Sequence, residues 1–153
     1  METMEHPNVI QVFQVTETTE NIYTRMEHVS GESYSSPILE VNGMQEQEAQ
    51  RAFSQITCTV HYCHEKYVVH RDPKPENILV NARANIKLCD FDLSCRFTAE
   101  HKLDMFCSTL PYCVPELYQL VKYDGSVIDL WNLGVLLFHG HRLPPIQSNH
   151  LCD

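Results

Sequence analysis

Two polar clusters in the chain hold groups that can do chemistry. The first is the run His70-Arg71-Asp72-Pro73-Lys74-Pro75-Glu76-Asn77, which supplies a carboxylate, an ammonium and an amide from Asp72, Lys74 and Asn77. The second is Asp90, followed by Phe91 and Asp92. Residues 78–80 and 86–89 lie between the clusters and read as two short strands joined by the turn 81–85. Folding that hairpin brings its two ends together, and with them Asp72, Lys74, Asn77 and Asp90. Carboxylate and amide oxygens are hard ligands of the kind Mg²⁺ takes, and an ammonium neutralises a phosphoryl group in transfer.

The elements that must position these groups follow from pattern. Residues 9–16 and Ile22–Met26 are rich in β-branched residues and predict a hairpin around a polar turn at 16–21. Residues 30–37 hold Ser and Gly and read as a loop. Ala49, Ala52, Phe53, Ile56, Val60 and Cys63 recur at helical spacing, predicting a helix over 45–65 with a cap at Asn42. Val68 and Val69 form a short buried extended piece. Residues 91–116 show no sustained period, contain Pro111 and Pro115, and predict a long functional loop. Residues 127–138 are apolar nearly all round and predict a buried helix. The tail over 139–153 is polar and Pro-containing, and reads as loose.

Composition narrows the function classes. The chain has 153 residues, which suits one domain, and 43% of them are hydrophobic, enough for a packed core. A net charge of -9, with only 11 Lys and Arg, argues against nucleic acid as partner. No apolar run reaches membrane-spanning length. An odd count of 7 Cys and a polar, acidic start indicate reduced thiols in a cytosolic or nuclear protein. His61-Tyr62-Cys63-His64 is the densest cluster of metal-ligating types, but no second pair stands at zinc-site spacing.

The ordered set of His-Arg-Asp-x-Lys-Pro-Glu-Asn at 70–77, Asp-Phe at 90–91, Pro-Glu at 115–116 and Asp-x-Trp-x-x-Gly at 129–134 is far too specific for chance. On these residues the chain resembles the eukaryotic Ser/Thr protein kinase catalytic domain. It is most similar to the sperm motility kinases, relatives of the microtubule-affinity-regulating kinases. The likeness runs from His6-Pro7-Asn8-Val9-Ile10 to about Phe138. It implies ATP and Mg²⁺ as cofactors and a protein as substrate or partner. Asp72 would be the catalytic base and Lys74 would touch the γ-phosphate. Asn77 and Asp90 would hold Mg²⁺, with Glu76 alongside. Met26 resembles the gatekeeper, Glu27, His28 and Val29 the hinge beside adenine, and Leu79 the floor of the adenine pocket. His70, Arg71 and Phe91 would be structural members of the two loops. Thr109 would contact the catalytic loop, Glu116 would pair with an Arg further along, and Asp129 and Trp131 would anchor the loop from below.

Several positions depart from the pattern. No Gly-rich phosphate-covering loop and no Lys–Glu pair can be found, although these position ATP. Asp-Phe-Gly is replaced by Asp90-Phe91-Asp92, which predicts backbone strain at Asp92 and repulsion of phosphates. Pro73 replaces Leu and removes a backbone N–H. Ser108 and Val114 stand for Gly and Ala, and Ala84 for a turn Gly. Met105 occupies the place of the activating Thr, so Arg71 has no phosphate to grip.

The expected fold is α+β and kinase-like but incomplete. Residues 1–29 form a two-stranded small-lobe remnant with hinge, and 30–138 a mostly helical large lobe truncated at its C-terminal side. Three functions follow as expectations: a Ser/Thr kinase-like domain with impaired catalysis, a non-catalytic pseudokinase that binds partners, or the product of a decayed gene without a selected role.

Overall fold

The structure is a computed structural model, and it describes residues 4–35, 46–98, 102–104, 112–119 and 121–140. The first two strands, β1 (Val12–Glu17) and β2 (Ile22–Met26), form an antiparallel hairpin with a register shift between Val12 and Gln14. The predicted strand over 9–16 starts later than expected. Its first residues are instead stitched to the rest of the molecule: Ile10 donates its amide to Leu88 O (2.9 Å) and Leu88 donates to Asn8 O (2.7 Å). Asn8 also donates from Nδ2 to Ile86 O (2.8 Å) and Gln55 Oε1 (3.0 Å), so this segment follows a strand edge.

That edge belongs to a three-stranded antiparallel sheet in the order β3 (Gly31–Ser33), β5 (Ile78–Asn81), β6 (Ile86–Leu88). Gly31 is required by close approach, because a Cβ there would lie 2.2 Å from Val80 O. The turn between β5 and β6 is closed by Asn81, whose Oδ1 accepts from Arg83 N (2.9 Å) and Asn85 N (3.1 Å). Ala84 stands there at φ 56°, a left-handed angle that Gly adopts more readily.

Helix α1 (Glu46–Glu65) buries Ala52, Ile56, Thr59, Val60 and Cys63, largely the predicted face. It ends where Lys66 and Tyr67 donate back to the last-turn carbonyls and Tyr67 turns left-handed at φ 56°. The cap expected at Asn42 lies outside the described residues. Strand β4 (Val68–Val69) pairs antiparallel with β7 (Cys95–Arg96). A short helix α2 (Pro115–Tyr118) and the long α3 (Gly125–Gly140) complete the described elements. Ala52, Ile56 and Val60 of α1 pack with Ile78, Ile86 and Leu88 of the sheet and Leu133 and Leu136 of α3. A second cluster joins Cys113, Val114, Leu117, Tyr123 and Ile128.

Two expectations need correction here. Helix α3 is not buried all round, since Val127, Leu130, Trp131 and Leu137 are between 41% and 58% exposed. Residues 91–116 are not all loop, because β7 and the start of α2 lie within them. A two-residue strand is too short to display a period.

Candidate active site

The catalytic-loop run lies between β4 and β5 and is folded against α3. Asp129 of α3, fully buried, accepts from Arg71 N at Oδ1 (2.7 Å) and from His70 N at Oδ2 (3.0 Å). His64 of α1 adds its Nε2 to Oδ2 at 2.7 Å. One carboxylate thus collects three nitrogens and holds Arg71 at φ 69°, a strained angle for a residue with a Cβ. Asn132, one helical turn beyond Asp129, donates from Nδ2 to Arg71 O at 3.4 Å, and its buried Oδ1 has no protein partner.

His70 holds the two loops together. Its Nε2 meets Cys89 O at 3.0 Å, its Nδ1 accepts from Asp72 N at 3.3 Å, and its ring lies 4.5 Å from that of Phe91. Burial holds its pKa below the ordinary 6.5, against the weaker upward pull of Asp129 and the other acceptors and carboxylates around it. A neutral ring with its proton on Nε2 satisfies both contacts.

The reactive groups converge as the hairpin argument requires. Asp72 is 3% exposed, and its Oδ2 lies 2.6 Å from Lys74 Nζ. Asn77 sits at the end of a 3₁₀ turn (Pro75–Asn77) and donates from Nδ2 to Asp72 O (3.0 Å) and Asp72 Oδ2 (3.2 Å). Asn77 Nδ2 is thus committed to Asp72. Cys89 N donates to Asn77 O at 2.9 Å, so the residue before Asp90 is bonded to the first cluster. Asp90 itself is exposed, with a left-handed φ of 61°, and accepts from Asp92 N at 3.4 Å. The expected strain at Asp92 is absent: the positive φ falls on Asp90, a residue type that tolerates it. Glu76 points outward and is exposed.

Leu79 and Val29 are half-buried, while Met26 is 49% exposed. Glu27 spans the lobes. Its Oε1 accepts from Lys87 Nζ (2.6 Å) and Gln11 N (2.8 Å). Partial burial raises its pKa, but the Lys87 ammonium and the Gln11 amide together hold the carboxyl below its usual range. Arg71 donates from Nε to Leu93 O, so a backbone carbonyl of the loop occupies its guanidinium. Glu116 has no ionic partner among the described residues, and Thr109 lies outside them.

Trp131 is 41% exposed, and among the described hydrogen bonds it is Asp129 of the expected pair that reaches the loop. Asn132 fills the second position. The sequence signal for Asn132 was its spacing of three from Asp129, which puts both on one helix face. His64 had no sequence signal, because its acceptor is 65 residues away. Tyr112 was also unforeseen. Burial first, then the negative charges of Glu76 and Asp72, push its phenol up to about 12, which places it in the field of the site.

Residues 1–150 match the family model described as protein kinase domain. The chain belongs to the protein kinase domain family. This kinase domain is 39% identical over 139 residues to mouse sperm motility kinase Z, covering 91% of this chain and 28% of that protein. It is 40% identical over 134 residues to mouse sperm motility kinase 3A, covering 88% and 27%. It therefore spans little more than a quarter of the length of either relative. The kinase assignment accounts for the grouping of Asp72, Lys74, Asn77 and Asp90. Members of the family generally use ATP and Mg²⁺. The donor set fits that ion in kind: the amide oxygen of Asn77 and the exposed carboxylate of Asp90 are hard oxygen ligands, and one or two of these alongside water and phosphate oxygens is the way Mg²⁺ is usually held. Among the described residues no group of three or more His, Cys, Asp or Glu could hold a metal, and no helix is long and apolar enough to cross a membrane.

Proposed function

We propose that this kinase domain carries a Ser/Thr-type centre that transfers the γ-phosphoryl of ATP to a protein, and that the centre is impaired. One observation carries the reading: the buried Asp72 carboxylate has Lys74 Nζ at 2.6 Å and Asn77 Nδ2 at 3.2 Å. Asp72 orients a substrate hydroxyl and accepts its proton. Lys74 would turn from Asp72 to the γ-phosphoryl group, and Asn77 and Asp90 would hold Mg²⁺. When bound, the ion neutralises charge on the phosphates. The impairment is assigned to Asp92, whose carboxylate adds a negative charge beside Asp90 where phosphates must come. A unit charge near a solvated surface is worth about 1 kcal/mol, or about five-fold in nucleotide affinity.

A second reading, a non-catalytic binding module, has its own observation: Asp72 and Lys74 already neutralise each other. A thermal-shift titration with Mg²⁺-ATP separates the two, because a ligand that binds the folded state must raise its stability. An impaired centre gives a small, Mg²⁺-dependent rise that grows about five-fold in affinity in Asp92→Gly. No rise in either protein favours the binding module.

A further inference from the structure

One ammonium joins separate stretches of the chain. Lys87 Nζ lies 2.6 Å from Glu27 Oε1 and donates to Val9 O at 3.3 Å. Gln11 donates its amide to the same Glu27 oxygen at 2.8 Å, and Glu27 N donates back to Gln11 O at 2.9 Å. The side chains of Lys87 and Glu27 are only 22% and 24% exposed, so the pair is largely sheltered from water. Lys87 is the middle residue of β6 and stands opposite Leu79 of β5. Opposed residues of an antiparallel pair project on one face, so Lys87 and Leu79 share a face of the sheet. The segment after Glu27 is pinned at both ends. Glu27 is tied to β6 through Lys87, and Gly31 pairs with Asn81 of β5, too close to Val80 O to admit a Cβ. Between the pins, His28, Val29 and Ser30 make no hydrogen bond among the described residues, which leaves their backbone groups open to a ligand.

We propose that Lys87 is a positioning residue for the nucleotide: by holding Glu27 it sets the gap between residues 28–30 and the Leu79 face of the sheet, in which the base of ATP is gripped. The role rests on the ATP reading given above. Lys87 acts through Glu27, on the base end alone. The phosphate end belongs to Asp72, Lys74, Asn77 and Asp90. The β1–β2 hairpin that delivers Glu27 is exposed along almost its whole length, and a two-stranded hairpin is marginal by itself. A neutral residue at 87 therefore frees the 28–30 segment from the sheet. The base then loses a fixed slot while the phosphates keep theirs. An ion pair at the upper end of the range for partly solvated pairs changes an equilibrium constant by about five-fold.

Two readouts test this on the full chain and on its Lys87→Met, Lys87→Arg, Glu27→Gln and Lys87→Met/Glu27→Gln variants. The first is amide exchange over residues 22–30 without ligand. The second is affinity for Mg²⁺-ATP and for Mg²⁺-tripolyphosphate, which has the phosphates and no base. Lys87→Met should exchange about five-fold faster over 22–30, with residues 70–77 unchanged. It should bind ATP about five-fold more weakly and tripolyphosphate as the unmodified chain does. The double variant should lose no more than Lys87→Met, because the two side chains act as one unit. Lys87→Arg keeps the charge and should lose little. Equal weakening of ATP and tripolyphosphate overturns the proposal, since Lys87 would then act on the phosphates. Unchanged exchange over 22–30 in Lys87→Met overturns it too, as do additive losses in the double variant. Absence of ATP binding in every form overturns the ATP reading itself, and this role with it, whatever the exchange shows of the Glu27–Lys87 link.

Discussion

Arg71 bears the strain of the site, and the residues around it show how that strain is offset. Its left-handed backbone is fixed by Asp129 on one side of the peptide and touched by Asn132 on the other. Asp129→Ala orphans two buried amides, at about 1–3 kcal/mol each, and should lower stability by about 2–5 kcal/mol in a denaturant titration. His70 supplies a pH dependence. Its folded pKa is lowered by burial, so below about 6.5 the unfolded chain binds a proton that the folded chain refuses. Stability should therefore fall on acidification through that range, by up to about 1.4 kcal/mol per pH unit, and more gently in His70→Gln. Melting curves of the two proteins from pH 7.5 to 5.5 measure the difference. Asp72, Lys74, Asn77 and Asp90 were legible in the sequence because their spacing encodes one hairpin closure. His64 and the Leu93 carbonyl were not, because long-range partners leave no periodic trace.

At the scale of elements, α1, β5, β6 and α3 were readable because each buries a face large enough to impose a period. The β4–β7 pair was not, since two residues carry none, yet it ties the segment after Phe91 to the strand that leads into His70. The sidedness of α3 was also hidden. A helix of nearly uniform hydrophobicity does not say which face meets the core and which, like that of Leu130 and Trp131, stays exposed. Gly31 sets how closely β3 can approach β5. Gly31→Ala would drive a methyl into Val80 O and must part the strands. The expected cost is about 1–3 kcal/mol, with faster amide exchange at Glu32 and Ser33 on β3.

At the scale of the molecule, the hairpin of β1 and β2 is held to the rest by few links: the 8–10 segment along β6 and the Glu27–Lys87 pair at 2.6 Å. A two-stranded hairpin alone is marginal, and Phe13, Val15, Ile22, Tyr23 and Met26 are all about half exposed or more. Motion of this hairpin relative to β6 would change the approach to Leu79 and Asp90 without altering Asp72. The half of the domain that holds the Asp72 loop is thus built on the better-packed part of the chain.

The central claim is that the Asp72 centre transfers phosphoryl groups and is held back by Asp92. Its most direct test is incorporation of labelled γ-phosphate from Mg²⁺-ATP into a Ser/Thr-containing protein by the unmodified chain, Asp72→Asn and Asp92→Gly, assayed side by side. The account predicts faint label in the unmodified chain, none above background in Asp72→Asn, and an increase of about five-fold in Asp92→Gly, the worth of one removed charge. Label that persists in Asp72→Asn, or an unmodified chain and Asp92→Gly that both stay at the Asp72→Asn background, would contradict it.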